Sequence, residues 1–395
     1  MTGDALDLAA EVAAAMPDLV ALRRDLHQHP ELAFQECRTA GVVAERLRAA
    51  GLAVQEGVGR TGVVGLLDGG QPGPTVALRA DMDALPLRER EDRPYHSTTP
   101  GVMHACGHDG HTAVAVTLAE ILARHRGALP GRVKFVFQPA EETVGGAQAM
   151  IADGVLEDPH VDRVLGLHLW NYLPVGQVGV RDGTIFASAD ELTIVVHGQG
   201  GHGAMPHDAV DPVMVAAHLV TALQTIVSRE APPLEPAVLT IGMIQGGTAF
   251  NIIPERVELR GTVRAFDPAL REHLLARVAA QARDLAAAFR ATVEVTTRLG
   301  CAAVINDPAT ANLVRQAAAA ELGAPAVVET PGTTGGDDMA DFLARRPGCY
   351  FLVGSGNPDR GLAASHHNPG FDFDEAALGV AARVLGRAAI AALQR

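Results

Sequence analysis

One short run, His104-Ala105-Cys106-Gly107-His108-Asp109-Gly110-His111, gathers a thiol and several imidazoles. Cys106 and His108 stand two residues apart on a glycine loop that opens into the apolar helical pattern of Thr112 to Leu122, which makes the first half of a transition-metal site. A loop before a helix N-terminus also lowers a thiol's pKa, so Cys106 reads as a nucleophile too. The surplus of His and Glu donors at strand ends elsewhere in the chain favours the metal reading for both residues. Adjacent Glu141 and Glu142 follow the apolar run Val133-Lys134-Phe135-Val136-Phe137 through a Gln-Pro-Ala turn. Two like charges in a cleft need a cation or a proton between them, so one can hold a metal while its neighbour carries a proton. Asp81 and Asp83 follow Leu78-Arg79-Ala80, and His168 follows Arg163-Val164-Leu165-Gly166-Leu167. His366 and His367 precede the Asn368-Pro369 turn. Taken singly, such histidines are more often satisfied core or loop residues than ligands. Cys37, Cys301 and Cys349 lie in apolar or mixed surroundings and read as inert core thiols.

These groups can meet only if the chain brings distant segments to one rim, and its rhythm suits that. Apolar residues recur at helical spacing from Asp4 to His29, ending at Pro30, and from Cys37 to Ala50, where Gly51 stops the pattern. Strands are predicted over 62–67, 75–80, 132–137 and 161–167, with a helix over 112–125 between them, an α/β grammar. In open α/β sheets reactive groups collect beyond the carboxyl ends of strands, where several of these polar residues fall. Near Gly183 the order becomes strand 189–197, helix 211–228, strands 237–244 and 256–264, helix 268–289 and strand 292–297. That β-α-β-β-α-β order describes a ferredoxin-like unit. A helix over 308–322, a strand over 349–353 and a last helix from Asp374 then resume the first pattern. The expected fold class is α/β: a split domain of residues 1–183 and 300–395 with a mostly parallel sheet flanked by helices, and an inserted ferredoxin-like α+β domain of residues 184–299.

The length, 395 residues, suits two cores. With 32 basic against 46 acidic residues the net charge is −14, which repels phosphate backbones and excludes nucleic acid and acidic membranes as partners. Asp4, Asp7 and Glu11 stand where a signal peptide would carry basic residues, and no run approaches an uncharged membrane span, so the expected location is cytoplasmic. The four cysteines are scattered and form no CxxC pair, which argues against a disulfide framework.

The motifs fall in a telling order: Arg24-Asp25-Leu26-His27-Gln28-His29-Pro30-Glu31-Leu32, Leu78-Arg79-Ala80-Asp81-Met82-Asp83-Ala84-Leu85-Pro86, Met103-His104-Ala105-Cys106-Gly107-His108-Asp109, Gln138-Pro139-Ala140-Glu141-Glu142 and Gly166-Leu167-His168. Gly200-Gly201-His202-Gly203-Ala204, Asn251-Ile252-Ile253-Pro254, Gly261-Thr262-Val263-Arg264 and His367-Asn368-Pro369 complete the series. Together they resemble the two-metal aminoacylase and carboxypeptidase family, in its branch of hippurate hydrolases and indole-3-acetyl-amino-acid hydrolases.

The resemblance implies that Cys106, His108, Glu142, His168 and His367 hold two divalent ions, with the Cys106 thiolate shared. Zinc or manganese comes first, then cobalt or nickel. It further implies Glu141 as general acid/base, Asp83 as a carboxylate orienting a ligand, and Asn251 and Arg264 as substrate-binding residues. His202 would be a catalytic residue reaching a partner's site, and the inserted domain a dimerisation and lid domain. The implied substrate is a small N-acyl amino acid, hippurate-like or N-acetyl, cleaved to a carboxylic acid and a free amino acid by a homodimer or a dimer-based tetramer. A carboxypeptidase or dipeptidase of the same family is the alternative. A metal-dependent binding protein and a cysteine hydrolase using Cys106 are rivals from other classes. His366 competes with His367 but lies one residue too early in the motif. His27 and His29 read as structural, and Asp337 and Asp338 read either as site-lining or as a solvated turn.

Overall fold

The structure, a computed structural model, describes residues 6–143 and 145–394. Two compact units result, one comprising Met1–Gly183, Ile305–Pro331 and Asp338–Arg395, the other Thr184–Val304 and Gly332–Asp337. The first unit begins with helices α1 (Leu8–Gln28) and α2 (Cys37–Ala49); the expected start at Asp4 lies outside the described residues. Then come β1 (Ala53–Val58), β2 (Gly62–Asp68), β3 (Gln71–Asp81), α3 (His108–Arg124), β4 (Pro130–Gln138), α4 (Gly146–Ala152), β5 (Arg163–Pro174) and β6 (Val178–Val180). Strand β7 (Gly183–Phe186) opens the second unit, which continues through β8 (Asp190–His197), β9 (Gly201–His202), α5 (Pro212–Thr225), β10 (Ala237–Gly246), β11 (Ile252–Ile253), β12 (Arg256–Ala265), α6 (Pro268–Ala288) and β13 (Thr292–Leu299). After β14 (Val304–Asn306) the first unit resumes with α7 (Pro308–Leu322), β15 (Val327–Glu329), α8 (Met339–Leu343), β16 (Gly348–Gly356) and α9 (Ala376–Leu393).

Eight strands of the first unit form one sheet in the order β1-β2-β4-β3-β5-β16-β6-β15. Its centre, β4-β3-β5-β16, is parallel, and the expected α/β class with a mainly parallel sheet is what the chain adopts. Parallel strands are covered on both faces, which is why these segments read as unbroken apolar runs; β16 is buried along its whole length. Helix α3 lies deepest, with every residue but Glu120 and Arg124 buried. It starts at His108, four residues before the expected start, because Gly107 takes a left-handed φ of 94° that turns the loop directly into the helix. The polar residues of that first turn hid it from an apolar pattern. Gly110 permits the close approach: a Cβ there would lie 2.5 Å from Leu169 Cδ1.

In the second unit the four strands run β10-β12-β8-β13, all neighbours antiparallel, the ferredoxin-like order. Burial along β8 alternates strictly, and its inward residues Leu192, Ile194 and Val196 share a core with Leu219 and Leu223 of α5 and Leu274 and Val278 of α6. Three helices start alike: Asp211, Asp267 and Asp307 each cap the backbone with their carboxylate ahead of a proline at the first helical position. Each such cap contributes about 1 kcal/mol.

Two expectations need correction. Strand β5 does not end at Leu167 but runs on to Pro174, because Trp170, Asn171 and Tyr172 continue the strand half-exposed and so interrupt the apolar run. Cys37 is exposed at the start of α2, whereas Cys301 and Cys349 are buried. Helix α9 is long and apolar enough to cross a membrane by length and composition, yet 72% of it is buried inside the protein, where its alanines pack in the first unit's core. Elements β1, α4, β6, β15 and α8 are short or weakly patterned, and apolar periodicity alone does not reveal them.

Candidate metal centre

Parallel strands deliver the acids. β3 ends at Asp81 and leads to Asp83, β4 ends at Gln138 and leads to Glu141 and Glu142, and β5 between them and β16 carries His168. The loop before α3 supplies Cys106 and the first residue of α3 is His108. His367 comes from the turn after β16, held by its amide to the Ala105 carbonyl at 2.8 Å with a left-handed φ of 61°. That bond ties the His367 turn to the cysteine loop.

Five donor trios occur among the described residues, and two of them meet at Cys106. Ligand atoms of Cys106, His108 and His168 lie within 4.8 Å of one another, and so do those of Cys106, Glu142 and His367. The trios share one sulfur. Cys106 Sγ lies 3.4 Å from His168 Nε2, and His367 Nε2 lies 3.3 Å from Glu142 Oε1.

Histidine tautomers follow from their outer bonds. His108 Nδ1 donates to the Asp83 carbonyl at 2.9 Å and His168 Nδ1 to the Leu169 carbonyl at 2.7 Å, which leaves each Nε2 lone pair facing inward. His108 Nε2 is buried with no hydrogen-bond partner among the described residues. Burial pulls His108 down, but the carboxylates of Asp81, Asp83 and Glu142 carry it up to about 10. Burial, joined by His111 and His366, holds His168 well below its usual value. A carboxylate cluster that holds a proton on His108 would equally hold a cation in the proton's place, and with the two inward-facing imidazole nitrogens and the thiol it fits a pair of divalent ions, by donor chemistry as well as by spacing.

The two glutamates sit on a turn clamped by carboxylates. Asp83 Oδ1 accepts from the Glu141 amide and Oδ2 from the Glu142 amide, both at 3.0 Å. Glu36 Oε1 accepts from the amides of Ala140 at 2.8 Å and Phe34 at 3.0 Å, while Oε2 accepts from the Thr61 hydroxyl. Three successive amides thus point into two buried acids, and Ala140 is kept at a left-handed φ of 52°. Burial pushes the Glu36 carboxyl up. Nothing in the residue type of Glu36 marks it beforehand; only its burial does.

Behind the candidate ligands lies a second set, in which sequence reasoning gave no role to His111 or Asp109. His111 Nδ1 meets Asp81 Oδ1 at 2.6 Å while its Nε2 accepts from the Leu169 amide, so this ring bolts α3 to β3 and β5. Burial would raise Asp81, but His108, Arg79 and His111 hold it well below the usual carboxylate range. Asp109 accepts from Arg23 and His27, each at 2.8 Å, and His27 also contacts Glu89 at 3.0 Å. His27 is therefore a buried network residue. His366 is turned away from the trios: its Nε2 meets the Leu169 carbonyl at 2.9 Å, its ring stacks on Trp170, and burial lowers it to about 4.

Asp338, in the first unit, accepts from Arg79, Gln138 and the Ala147 amide and so is a structural anchor, while Asp337 belongs to the second unit. In that second unit His202 on β9 stands opposite Ile252 on β11, and the Gly203 amide donates to the Asn251 carbonyl at 2.9 Å, so His202 and Asn251 share one exposed loop pair. Arg264, half-buried on β12, donates from Nε to the Thr262 hydroxyl at 3.1 Å.

Residues 77–391 match the model of peptidase family M20/M25/M40. An N-acyl-L-amino acid amidohydrolase of Geobacillus stearothermophilus is 44% identical over 290 residues, 73% of this chain and 78% of that one. An N-acetyl-L-cysteine deacetylase of Bacillus subtilis is 40% identical over 362 residues, 91% of this chain and 84% of its own. Among solved structures, the dinuclear metal-binding M20 peptidase YxeP of Bacillus subtilis superposes with a TM-score of 0.85 at 34% identity, covering 97% of this chain and 99% of that one.

Proposed function

Because this chain belongs to peptidase family M20/M25/M40, we propose that it is a two-metal amidohydrolase that cleaves N-acyl amino acids to a carboxylic acid and a free amino acid. The observation that carries this reading is the pair of donor trios meeting at Cys106, with Glu141 Oε2 only 3.9 Å from His108 Nε2. Cys106, His108 and His168 would hold one ion and Cys106, Glu142 and His367 the other. When bound, the ions supply Lewis-acid polarisation of the scissile carbonyl and lower the pKa of the attacking water. Zinc or manganese is our first assignment: the thiolate and imidazoles suit zinc, and the carboxylate-rich surroundings suit manganese.

Glu141 takes the proton of the attacking water and returns it to the departing amine nitrogen. Asp83 keeps Glu141 and Glu142 in register through their amides. Arg264 offers a planar fork to the amino acid's carboxylate, Asn251 an amide to its carbonyl, and His202 a donor to the oxyanion of a partner subunit's substrate. A homodimer follows from that role, and it is supported by exposed apolar side chains on the second unit, among them Ile244, Phe250 and Ile252. A cytoplasmic setting is supported by the four cysteines, none of which is joined in a disulfide among the described residues.

The test is a substrate panel with elemental analysis of the purified protein. N-benzoyl and N-acetyl amino acids should outrun dipeptides, activity should vanish on dialysis against a chelator, and two equivalents of metal should be found per chain. Faster turnover of dipeptides would make it a carboxypeptidase or dipeptidase instead. Indifference to the chelator, with inactivation by alkylation, would leave Cys106 as a nucleophile. Mixing an inactive Glu141 variant with an inactive His202 variant should restore activity if His202 serves its partner.

A further inference from the structure

The stretch from Ala363 to Glu375 carries His367 yet contains neither helix nor strand, so side chains must fix its course. One of them is Arg23 of α1, which is completely buried. Each of its three guanidinium nitrogens meets a different acid: Nε donates to Asp109 at 2.8 Å, Nη2 to Asp372 at 2.7 Å and Nη1 to Glu375 at 3.3 Å. Its central carbon also lies over the Phe373 ring, 4.2 Å from the centroid.

Those acids belong to two segments. Asp109 stands beside His108 in the first turn of α3, whereas Asp372 and Glu375 lie between His367 and α9. Arg23 therefore clamps the segment that supplies a candidate ligand to one trio against the segment that supplies one to the other. The His367 amide on the Ala105 carbonyl joins the same turn to the cysteine loop, but a single hydrogen bond is a pivot. The clamp at Asp372 and Glu375 removes that freedom. As a source of stability such a cluster is poor, because desolvating the charges consumes most of what their attraction returns. What it supplies is one geometry, since a planar fork fixes a direction at every nitrogen and an ammonium does not.

We propose that Arg23 is a positioning residue for the metal pair: it sets His367 against the start of α3, and so shapes the seat made by Cys106, Glu142 and His367. The seat made by Cys106, His108 and His168 keeps its own supports, the Asp83 and Leu169 carbonyls that receive the two imidazoles. The inference rests on the two-metal reading.

Metal-free protein titrated with zinc in competition with a chromophoric chelator yields two stepwise dissociation constants, and His367→Ala shows which belongs to the second seat. Arg23→Lys keeps the charge and loses the fork. It should weaken that constant by about 10- to 100-fold, typical when a residue behind a metal ligand is replaced, and leave the other within about twofold. His27→Gln is the control, because the bonds of His27 go to Asp109 and Glu89; it should lower the urea midpoint and move neither constant by more than about twofold. Equal weakening of both constants by Arg23→Lys, or none, would overturn the proposal, since a merely structural arginine lowers stability without choosing between seats. A selective loss in His27→Gln equal to that of Arg23→Lys would overturn it as well. If Arg23→Lys does not fold, Asp372→Asn decides by the same criterion, because it leaves Arg23 its bonds to Asp109 and Glu375. A parent protein that takes up fewer than two zinc ions would remove the underlying reading instead.

Discussion

Asp83 and Glu36 hold the same turn, yet a change from acid to amide should affect them very differently. In Asp83 each carboxylate oxygen accepts a separate backbone amide, Oδ1 from Glu141 and Oδ2 from Glu142. Whichever way the side chain of Asp83→Asn turns, its NH2 group faces one of those donors. A buried donor without an acceptor costs about 1–3 kcal/mol. The turn can escape only by shifting Glu141, and a displacement near 1 Å at a reacting group costs about 100-fold in rate. In Glu36 both backbone amides fall on Oε1, and among the described residues Oε2 meets only the Thr61 hydroxyl. The hydroxyl can rotate to accept from the amide of Glu36→Gln, so that variant should lose no more than about 1 kcal/mol. The assay is urea unfolding followed by far-UV circular dichroism, with kcat on N-benzoylglycine and metal content measured for each protein. Equal behaviour of the two variants, or an Asp83→Asn protein as stable and active as the parent, would refute the donor accounting.

Glu141→Gln should leave metal content unchanged while turnover falls by about 10²- to 10⁴-fold, measured by elemental analysis beside initial rates. Arg264→Lys should raise KM by about tenfold or more with kcat nearly kept, since an ammonium cannot reproduce the bidentate fork. His27 sits above its ordinary 6.5: burial lowers it and Arg23 opposes the charge, but Asp109 and Glu89 outweigh both. A raised folded pKa gives stability that is complete below pH 6.5 and is lost as pH rises through the folded value. Denaturation midpoints of the parent should therefore fall on the alkaline side of pH 6.5 by a component that His27→Gln lacks; identical pH profiles would remove His27 from the account.

What could be read from the chain alone depended on residue types that are unusual where they stand. A cysteine and histidine on a glycine loop, or paired glutamates after an apolar strand, draw notice because burial there demands a partner. The α/β class was legible for a related reason: strands buried on both faces leave unbroken apolar runs, and β8 with its alternating burial could be told apart from them. Glu36, Asp109 and His111 gave no such signal. Each works through burial and a hydrogen bond to a segment far off in sequence, such as Ala140 for Glu36 or Leu169 for His111, and no local pattern encodes that. The extension of β5 was hidden by the same chemistry that makes it interesting, because half-exposed aromatics look like a loop.

The shared thiolate also has a bearing on synthesis. Cys106 precedes the second unit in the chain and His367 follows it, while the amide of His367 docks on Ala105. Since domains fold as they emerge from the ribosome, N-terminal parts first, a nascent chain can present one trio long before the other exists. With Glu142 and His367 as the proposed second seat, that seat would be complete only once translation had passed the whole intervening unit and nearly reached its last helix, and capture of the metal pair would be a late event in the life of the newly made protein.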